Sequence, residues 1–568
     1  MGSEWFVLAW DSETQTADIY SYATAGLMIS LKIGSNKAKV FAGISGIMDE
    51  RTMFDAQIAR RKEIGPMKTK NAAFVLLAIC AVLSLSYCAD NKDNAQKSDG
   101  GADISPEVGE PADQIGDGLP DVSFDGYKFR VLTREGGGSG CGRHLPEIAV
   151  EEEIGEILHD SVYRRNQKVS ERFDIEIIPV PVDEYGSGGE GALTNKLKRD
   201  VLAGDDTFDV AVGHMTLMSG LATDGVLYNW YDMPNIDFDK PWWVKDATES
   251  LAVKGKSFFA LGDFTYTYYD YVYNFFFNKR LARDYGLEDP YQLVMEGKWT
   301  IDKLHSMTKD IYRDLNGNDT KDFGDLYGYG ATSYSMINSY YWAFGGKIAV
   351  LDKDGGIQLM INNAKTADII QKLHEISFDS PGSFVSSNKT PSGDVAWPGV
   401  PITMFVNDQA VFAQSRLLDC FVDLRNFAGD YGILPQPMYD EAQEKYMTMA
   451  DGHTPIMGIP KSASDPTRTG TILEALCAES YRVTIPAYYE IALKVKYSQD
   501  EVSSAMIDKI RDGIVYDFGF MYDGFVGLGF IVSELLSDEK TDFASKYESL
   551  ERRALKYYEN VIKAYDEY

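Results

Sequence analysis

The sequence predicts an α/β fold built on a parallel sheet, and three observations carry that reading. Between Tyr127 and Val212 the hydrophobic period switches from strand to helix and back, giving β-α-β-α-β. The composition is globular, 44% hydrophobic and 25% charged. The chain beyond Cys88 is long enough for two lobes or domains.

The elements follow in order. Tyr127 to Thr133 alternates as a strand and runs into the Gly-rich stretch Gly136 to Gly142. Ile154, Ile157, Leu158, Val162, Val169 and Phe173 recur at helical spacing. Ile175 to Val182 is apolar, β-branched and broken by proline, which suits a strand. Leu193, Leu197 and Val201 mark a second helix, and Phe208 to Val212 a third strand. Parallel strands joined this way take right-handed crossovers, and ligands bind beyond their carboxyl ends. The loops Glu135–Arg143 and Gly213–Met218 fall there.

Tyr266 to Phe277 reads as a strand with one bulge, Tyr266 and Tyr268 on one face and Tyr269, Tyr271, Tyr273, Phe275 and Phe277 on another. Most of these rings belong to a core. Trp299 to Tyr312 reads as a helix capped at Thr300, with Asp302 in its first turn. Ala364 to Phe378 is a further helix, while Ile402 to Phe412 and Gly432 to Leu434 read as strands. Lys461–Cys477, Tyr481–Lys494, Glu501–Ile514 and Phe543–Tyr565 read as helical.

Upstream, Met67-Lys68-Thr69-Lys70 precedes an apolar run from Ala72 to Leu85 and then Ser86-Tyr87-Cys88. A basic start and a short apolar segment form a secretory signal, too short to span a bilayer. Leu85, three before Cys88, matches a lipoprotein signal, so acylation of Cys88 and an extracellular, membrane-tied protein are expected. Tyr87 stands where a small residue is usual, and ordinary cleavage nearby is the alternative. Residues 1–66 precede this signal without clear periodicity, and the expectation is a spurious extension, with Met67 as the start. Residues 67–88 are then the signal and residues 89–122 a flexible acidic tether, with order beginning near Phe124.

The net charge of −31, from 86 acidic and 55 basic residues, argues against nucleic acid as a partner. Of five cysteines, Cys80 and Cys88 belong to the signal; Cys141, Cys420 and Cys477 allow one disulfide at most. The 35 tyrosines can stack on sugar faces or fill an interior, and composition does not separate the two.

Asp314, Asn316, Asn318, Thr320, Asp322 and Asp325 occupy positions 1, 3, 5, 7, 9 and 12 of a twelve-residue loop, the oxygen spacing of a calcium loop entered from a helix. Asp319 replaces the usual glycine at position 6, and position 12 carries Asp rather than Glu. A bound calcium ion here would be structural. Gly186-Ser-Gly188-Gly-Glu-Gly191 fits a dinucleotide fingerprint, but Asp183 and Glu184 would repel a pyrophosphate and Gly213-His214 stands where an acidic residue is wanted. No Walker A, GxSxG, HExxH or CxxC motif is present, and the six histidines lack metal spacing. Catalytic carboxylate pairs are spatial and cannot be named from sequence.

Several stretches occur in a telling order: Phe208-Asp-Val-Ala-Val-Gly213, Leu221-Ala-Thr-Asp-Gly-Val-Leu227, Phe277-Asn278-Lys279, Trp299-Thr300, Asp325-Leu-Tyr-Gly-Tyr329, Phe344-Gly-Gly-Lys347, Asp430-Tyr-Gly-Ile-Leu-Pro435, Ile459-Pro460-Lys461 and Leu493-Lys-Val-Lys-Tyr497. With the signal and tether, this order resembles the extracellular solute-binding proteins of ABC importers, family 1, sugar-binding branch, over roughly residues 124–568. The resemblance implies a two-lobed, periplasmic-binding-protein-like fold of type II, closing on a small-molecule ligand at a hinge, with no catalysis. It implies a first lobe of residues 123–262 plus 403–457 and a second of 263–402 plus 458–568. It implies a lipid-anchored monomer on the extracellular face of the membrane, docking on a transporter permease, and it strengthens the calcium reading, since such proteins often carry a calcium loop in the second lobe. For the cleft, the candidates are Arg143 and His214 as polar contacts, Tyr266, Tyr268 and Trp342 as stacking platforms and Asp451 as an acceptor for sugar hydroxyls. A secreted carbohydrate-active enzyme, a binding protein for another solute and a receptor-linked sensor are the alternatives.

Overall fold

A computed structural model of the chain describes the backbone of strands within residues 5–44 and then residues 115–134, 147–184, 191–353, 355–390, 399–425, 427–489, 501–523 and 526–567. The chain divides into two compact units, Met1–Pro106 and Glu107–Tyr568.

In the first unit, β1 (Trp5–Asp11), β2 (Thr16–Tyr22), β3 (Leu27–Gly34) and β4 (Lys37–Ile44) pair in sequence order as an antiparallel meander. Ile29, Leu31 and Ile33 alternate with Ser30, Lys32 and Gly34, a short period-two pattern that the reading of residues 1–66 as aperiodic passed over. The signal segment, Cys88 and the tether as far as residue 114 lie outside the described residues.

The strands of the second unit are β5 (Tyr127–Arg134), β6 (Ile175–Val182), β7 (Val210–His214), β8 (Tyr273–Asn278), β9 (Tyr312–Arg313), β10 (Leu326–Thr332), β11 (Ala349–Leu351), β12 (Ile357–Leu359), β13 (Ser383–Ser386), β14 (Ala410–Arg416), β15 (Tyr431–Pro435), β16 (Thr448–Met449), β17 (Pro455–Gly458) and β18 (Ile514–Val515). They build two separate larger sheets. One has the order β17-β7-β5-β6. Here β5 runs parallel to β6 and β7, as the β-α-β-α-β pattern requires, and β17 is antiparallel to β7. The helices Ile157–Phe173 and Ala192–Ala203 are the crossovers. The first starts under Glu156, which accepts from the His159 amide, and stops at Asp174 in a left-handed conformation.

The other sheet has the order β13-β10-β14-β8-β15, with β9 pairing on β10. Its β10 is parallel to β13 and β14, and β8 is antiparallel to both β14 and β15. So β14 and β15, expected in the first lobe within residues 403–457, belong to the second. The later segment β17 and helix Pro466–Glu479, expected in part in the second lobe, belong to the first. Ile472, Leu473 and Leu476 of that helix share a core with Val169, Phe173, Val210 and Val212. The chain therefore passes between the lobes three times: before β8, between β16 and β17, and after Glu479.

Two further readings are corrected. Tyr266–Phe277 is not one bulged strand: a 3-10 segment, Asp263–Tyr269, leads into β8. Every residue from Asp263 to Asn278 is buried, so the stretch has no solvent face and alternation carries no signal. Ile402–Phe412 is not a strand either. The helix Val400–Val406 ends at Asn407, Asp408 takes a positive φ of 56°, and β14 starts only at Ala410. At the other end, residues 115–122 are not free tether. Ile115, Leu119 and Val122 pack against the first lobe's core, Asp117 pairs with Arg172, and Arg482 donates to the Ile115 carbonyl at 2.7 Å.

Candidate functional site at the lobe crossings

The three crossings lie against one another. The Asp451 amide donates to the Tyr271 carbonyl at 3.0 Å, Val272 bridges Ala450, and the Tyr488 hydroxyl donates to Asp270 at 2.9 Å. The Met215 amide, just past β7, donates to the Thr454 carbonyl at 3.1 Å. Around this junction polar side chains from both lobes converge. The first sheet delivers Arg134 and His214 at the carboxyl ends of β5 and β7, the position where ligands of parallel sheets bind. The second sheet delivers Tyr273 from the start of β8 and Arg416 from the end of β14, directly opposed in register. Gln436 extends β15 by one residue beyond Pro435, which pairs with Asn274, and so flanks Tyr273 on its other side. The crossings add Tyr271, Asp451 and His453.

The contacts are dense. The His214 and His453 rings lie 4.4 Å apart, and the Tyr271 ring stacks on His453 at 5.9 Å. Asp451 accepts from the His453 amide at 2.8 Å, from the His453 ring and from the Tyr273 hydroxyl. Arg134 donates to the His453 carbonyl at 2.9 Å. The guanidinium carbons of Arg134 and Arg416 lie 5.6 and 5.7 Å from the centre of the Tyr271 ring.

Burial and charge set the protonation states. Burial opposes ionisation of Asp451, but His453 and Arg416 outweigh it and hold the carboxyl well below the usual carboxylate range. Burial, with His453 and Arg134 nearby, pushes His214 well below the ordinary imidazole value, so its ring is neutral. Burial drives Asp270 well above the usual range despite the Tyr488 hydroxyl, and it raises Asp419 against the pull of Arg416. Arg416 itself is fully buried, and none of its three guanidinium nitrogens has a hydrogen-bond partner among the described residues. Gln436, also fully buried, donates to Ser339 at 2.6 Å while its side-chain oxygen has no partner among the described residues.

Of the residues singled out in sequence, His214 and Asp451 meet at this junction. Tyr266 is packed away from it, edge-on to Tyr488 at 5.9 Å, and the Tyr268 hydroxyl donates to Asp263 at 3.0 Å. Trp342 is 1% exposed, its indole donating to Asp517 at 2.6 Å. All three rings are buried among packed neighbours, Tyr266 and Tyr268 in the segment Asp263–Tyr269 and Trp342 in the helix Ser335–Ala343. Arg143 lies outside the described residues. Sequence reasoning missed Arg134, Tyr271, Tyr273, Arg416, Gln436 and His453. Arg134 and Arg416 each close an apolar strand, a pattern that exposed arginines share and that alone does not mark a site.

The Asp314–Asp325 loop joins β9 to β10; the helix before it ends at Thr308, so a strand stub enters the loop rather than a helix. Asp314 accepts from the amides of Gly317 and Asp319 at 2.6 and 2.9 Å. Asp319, where a glycine is usual, holds a positive φ of 56°. The buried Asp325 accepts from the Leu315 amide and the Tyr312 hydroxyl. The amide nitrogens of Asn316 and Asn318 point at Asp322, while Thr320 donates weakly to the Asn318 carbonyl. A calcium ion would need those amides to turn their oxygens inward. Among the described residues no group of three or more His, Cys, Asp or Glu side chains is gathered for a metal. Most of the glycine fingerprint lies outside the described residues. Its last member, Gly191, caps a helix whose first amides are already taken by Glu184, at 3.1 Å to Gly191 and 2.8 Å to Leu193, where a phosphate would sit. Cys420 and Cys477 carry free thiols. No helix among the described residues is long and apolar enough to cross a membrane.

Neither a family model nor a curated protein matches the sequence. Among solved structures, the chain is similar to a cyclic α-maltosyl-1,6-maltose binding protein from Arthrobacter globiformis, with 15% identity, 77% of this chain and 99% of that one covered and a TM-score of 0.51. It also matches the GacH receptor of Streptomyces glaucescens GLA.O, solved unliganded and with acarbose, at 13% identity, 76% and 99% coverage and a TM-score of 0.48. UgpB from Mycobacterium tuberculosis, in complex with glycerophosphocholine, matches at 15% identity, 72% and 100% coverage and a TM-score of 0.47. The first of these carries the fold assignment: an α/β chain with the two-lobed architecture of periplasmic binding proteins.

Proposed function

We propose that this chain, having that two-lobed fold, is a solute-binding protein that captures a small molecule between its lobes and releases it unaltered. The observation that carries the reading is the junction itself: Arg134 and His214 from one sheet, Tyr273 and Arg416 from the other, gathered where three crossings meet. A carbohydrate is the solute class favoured by the aromatic and polar mixture there and by the maltosyl-maltose binder of similar fold. In this reading the signal at residues 67–88 supports export, a lipid anchor at Cys88 and delivery of the solute to an ABC permease. The loop Asp314–Asp325 is a structural calcium site in this reading.

The test is titration calorimetry of the purified chain against a panel of neutral and acidic mono- and oligosaccharides, with recovery of the sugar afterwards. Stoichiometric binding with the sugar recovered intact is expected. Cleaved sugar would make the protein an enzyme, and silence across the panel would remove the carbohydrate assignment.

A further inference from the structure

We infer that the solute carries an acidic group, a carboxylate or a phosphate on a saccharide, and that Arg416 is the residue that holds it. This rests on the solute-binding reading and names the chemistry of the solute. A guanidinium offers five donors in a fixed fork. Arg416 is 0% exposed, yet none of its three nitrogens meets an acceptor among the described residues. Leaving a buried cation in that condition is costly, and an incoming group that supplies the missing acceptors would relieve the cost. A carboxylate or phosphate fits the fork with two parallel hydrogen bonds.

The neighbours agree. Arg416, Tyr273 and Gln436 stand side by side across β14, β8 and the end of β15, on one face of the sheet. Gln436 contributes the opposite deficit, a buried oxygen that lacks a donor among the described residues. An acidic sugar brings both complements, an oxyanion for the arginine and a hydroxyl for the glutamine oxygen. The charge around the junction points the same way. Two guanidinium groups, Arg134 and Arg416, approach the Tyr271 ring. Asp451 and Asp419 act on Arg416 through charge, but neither carboxylate is hydrogen-bonded to its guanidinium; Asp451 accepts from His453 and Tyr273, and Asp419 from the Ser415 hydroxyl. The protein's overall net charge of −31 makes a buried anion-seeking arginine harder to ascribe to general electrostatics.

The experiment compares digalacturonate with maltose and glucose 6-phosphate with glucose, by calorimetry and thermal melting, on the whole chain and on Arg416→Met. Wild type should bind one acidic sugar at least tenfold tighter than its neutral counterpart, and Arg416→Met should lose that preference, weakening acidic binding roughly ten- to a hundredfold. Which acid wins separates a carboxylate from a phosphate ligand. Unliganded Arg416→Met gives up the attraction to Asp451 and Asp419 and should melt somewhat lower than wild type while staying folded. Equal weakening of neutral and acidic sugars in the variant would make Arg416 a structural residue and overturn the inference. Equal binding of neutral and acidic sugars by wild type overturns it as well and leaves the solute-binding reading standing, whether or not the variant folds. No binding of any of the four sugars overturns the inference and counts against the carbohydrate assignment.

Discussion

His214 closes β7 with its ring against His453, and burial of that ring makes its contribution to stability depend on pH. Its folded value lies well below the ordinary 6.5, because burial and the neighbouring His453 and Arg134 disfavour the cation. Below about pH 6.5 the unfolded chain takes up a proton at this ring that the folded chain refuses, so stability falls as pH drops through that range. His214→Gln should therefore lose less stability than wild type between about pH 7.5 and 5.5 in urea titrations. Parallel losses in the two proteins would show that the ring is not the group responsible. Asp451, the partner of His453, has the opposite kind of shift for its class: its depressed value adds stability that persists above the usual carboxylate range and is lost only in strong acid. Both residues were visible in the sequence, His214 as the residue after a buried strand and Asp451 in Asp-Gly-His. Arg416 was not, since nothing local distinguishes a strand-ending arginine that faces water from one that faces a closed junction. That difference is made by strands far away in the chain.

At the scale of elements, the helix Pro466–Glu479 is held to the first lobe by its apolar face and by a buried carboxylate. Glu474 accepts from the indoles of Trp242 and Trp243, at 2.9 and 2.8 Å, and all three residues are buried. Burial pushes its carboxyl up to about 7 despite those bonds. Glu474→Ala would leave two buried N–H groups without an acceptor and should cost about 2–4 kcal/mol in urea unfolding. A loss below about 0.5 kcal/mol would show that water or a neighbour replaces the carboxylate. The loop between β9 and β10 gives a second element-level expectation. If calcium turns the Asn316 and Asn318 amides inward, millimolar calcium should raise the melting temperature, EDTA should reverse the rise, and Asp314→Ala should abolish it. An unchanged melt with calcium would end the proposal. The parallel strands and their crossover helices were legible because each has a solvent face that sets a period. The segment Asp263–Asn278 was not, because it is buried on every side. The helix Val400–Val406 was misread because an apolar run of that length suits either state, and only the turn at Asn407-Asp408 separates it from β14.

For the whole of the second unit, the sequence order of its motifs was enough to anticipate two lobes but not their division. Residues near 403–457 straddle both sheets, and strand order is a long-range property that no local pattern records. If solute capture draws the lobes together, the radius of gyration measured by small-angle scattering should fall on saturation with a bound sugar, and it should not fall in a variant that fails to bind. An unchanged radius alongside confirmed binding would mean that the junction is preformed and rigid. The three crossings themselves restrict what motion is available. Turning about the place where they touch would strain them least, whereas sliding one lobe past the other would pull on at least two covalent threads at once. If the lobes move, their linkage favours a hinge over a shear.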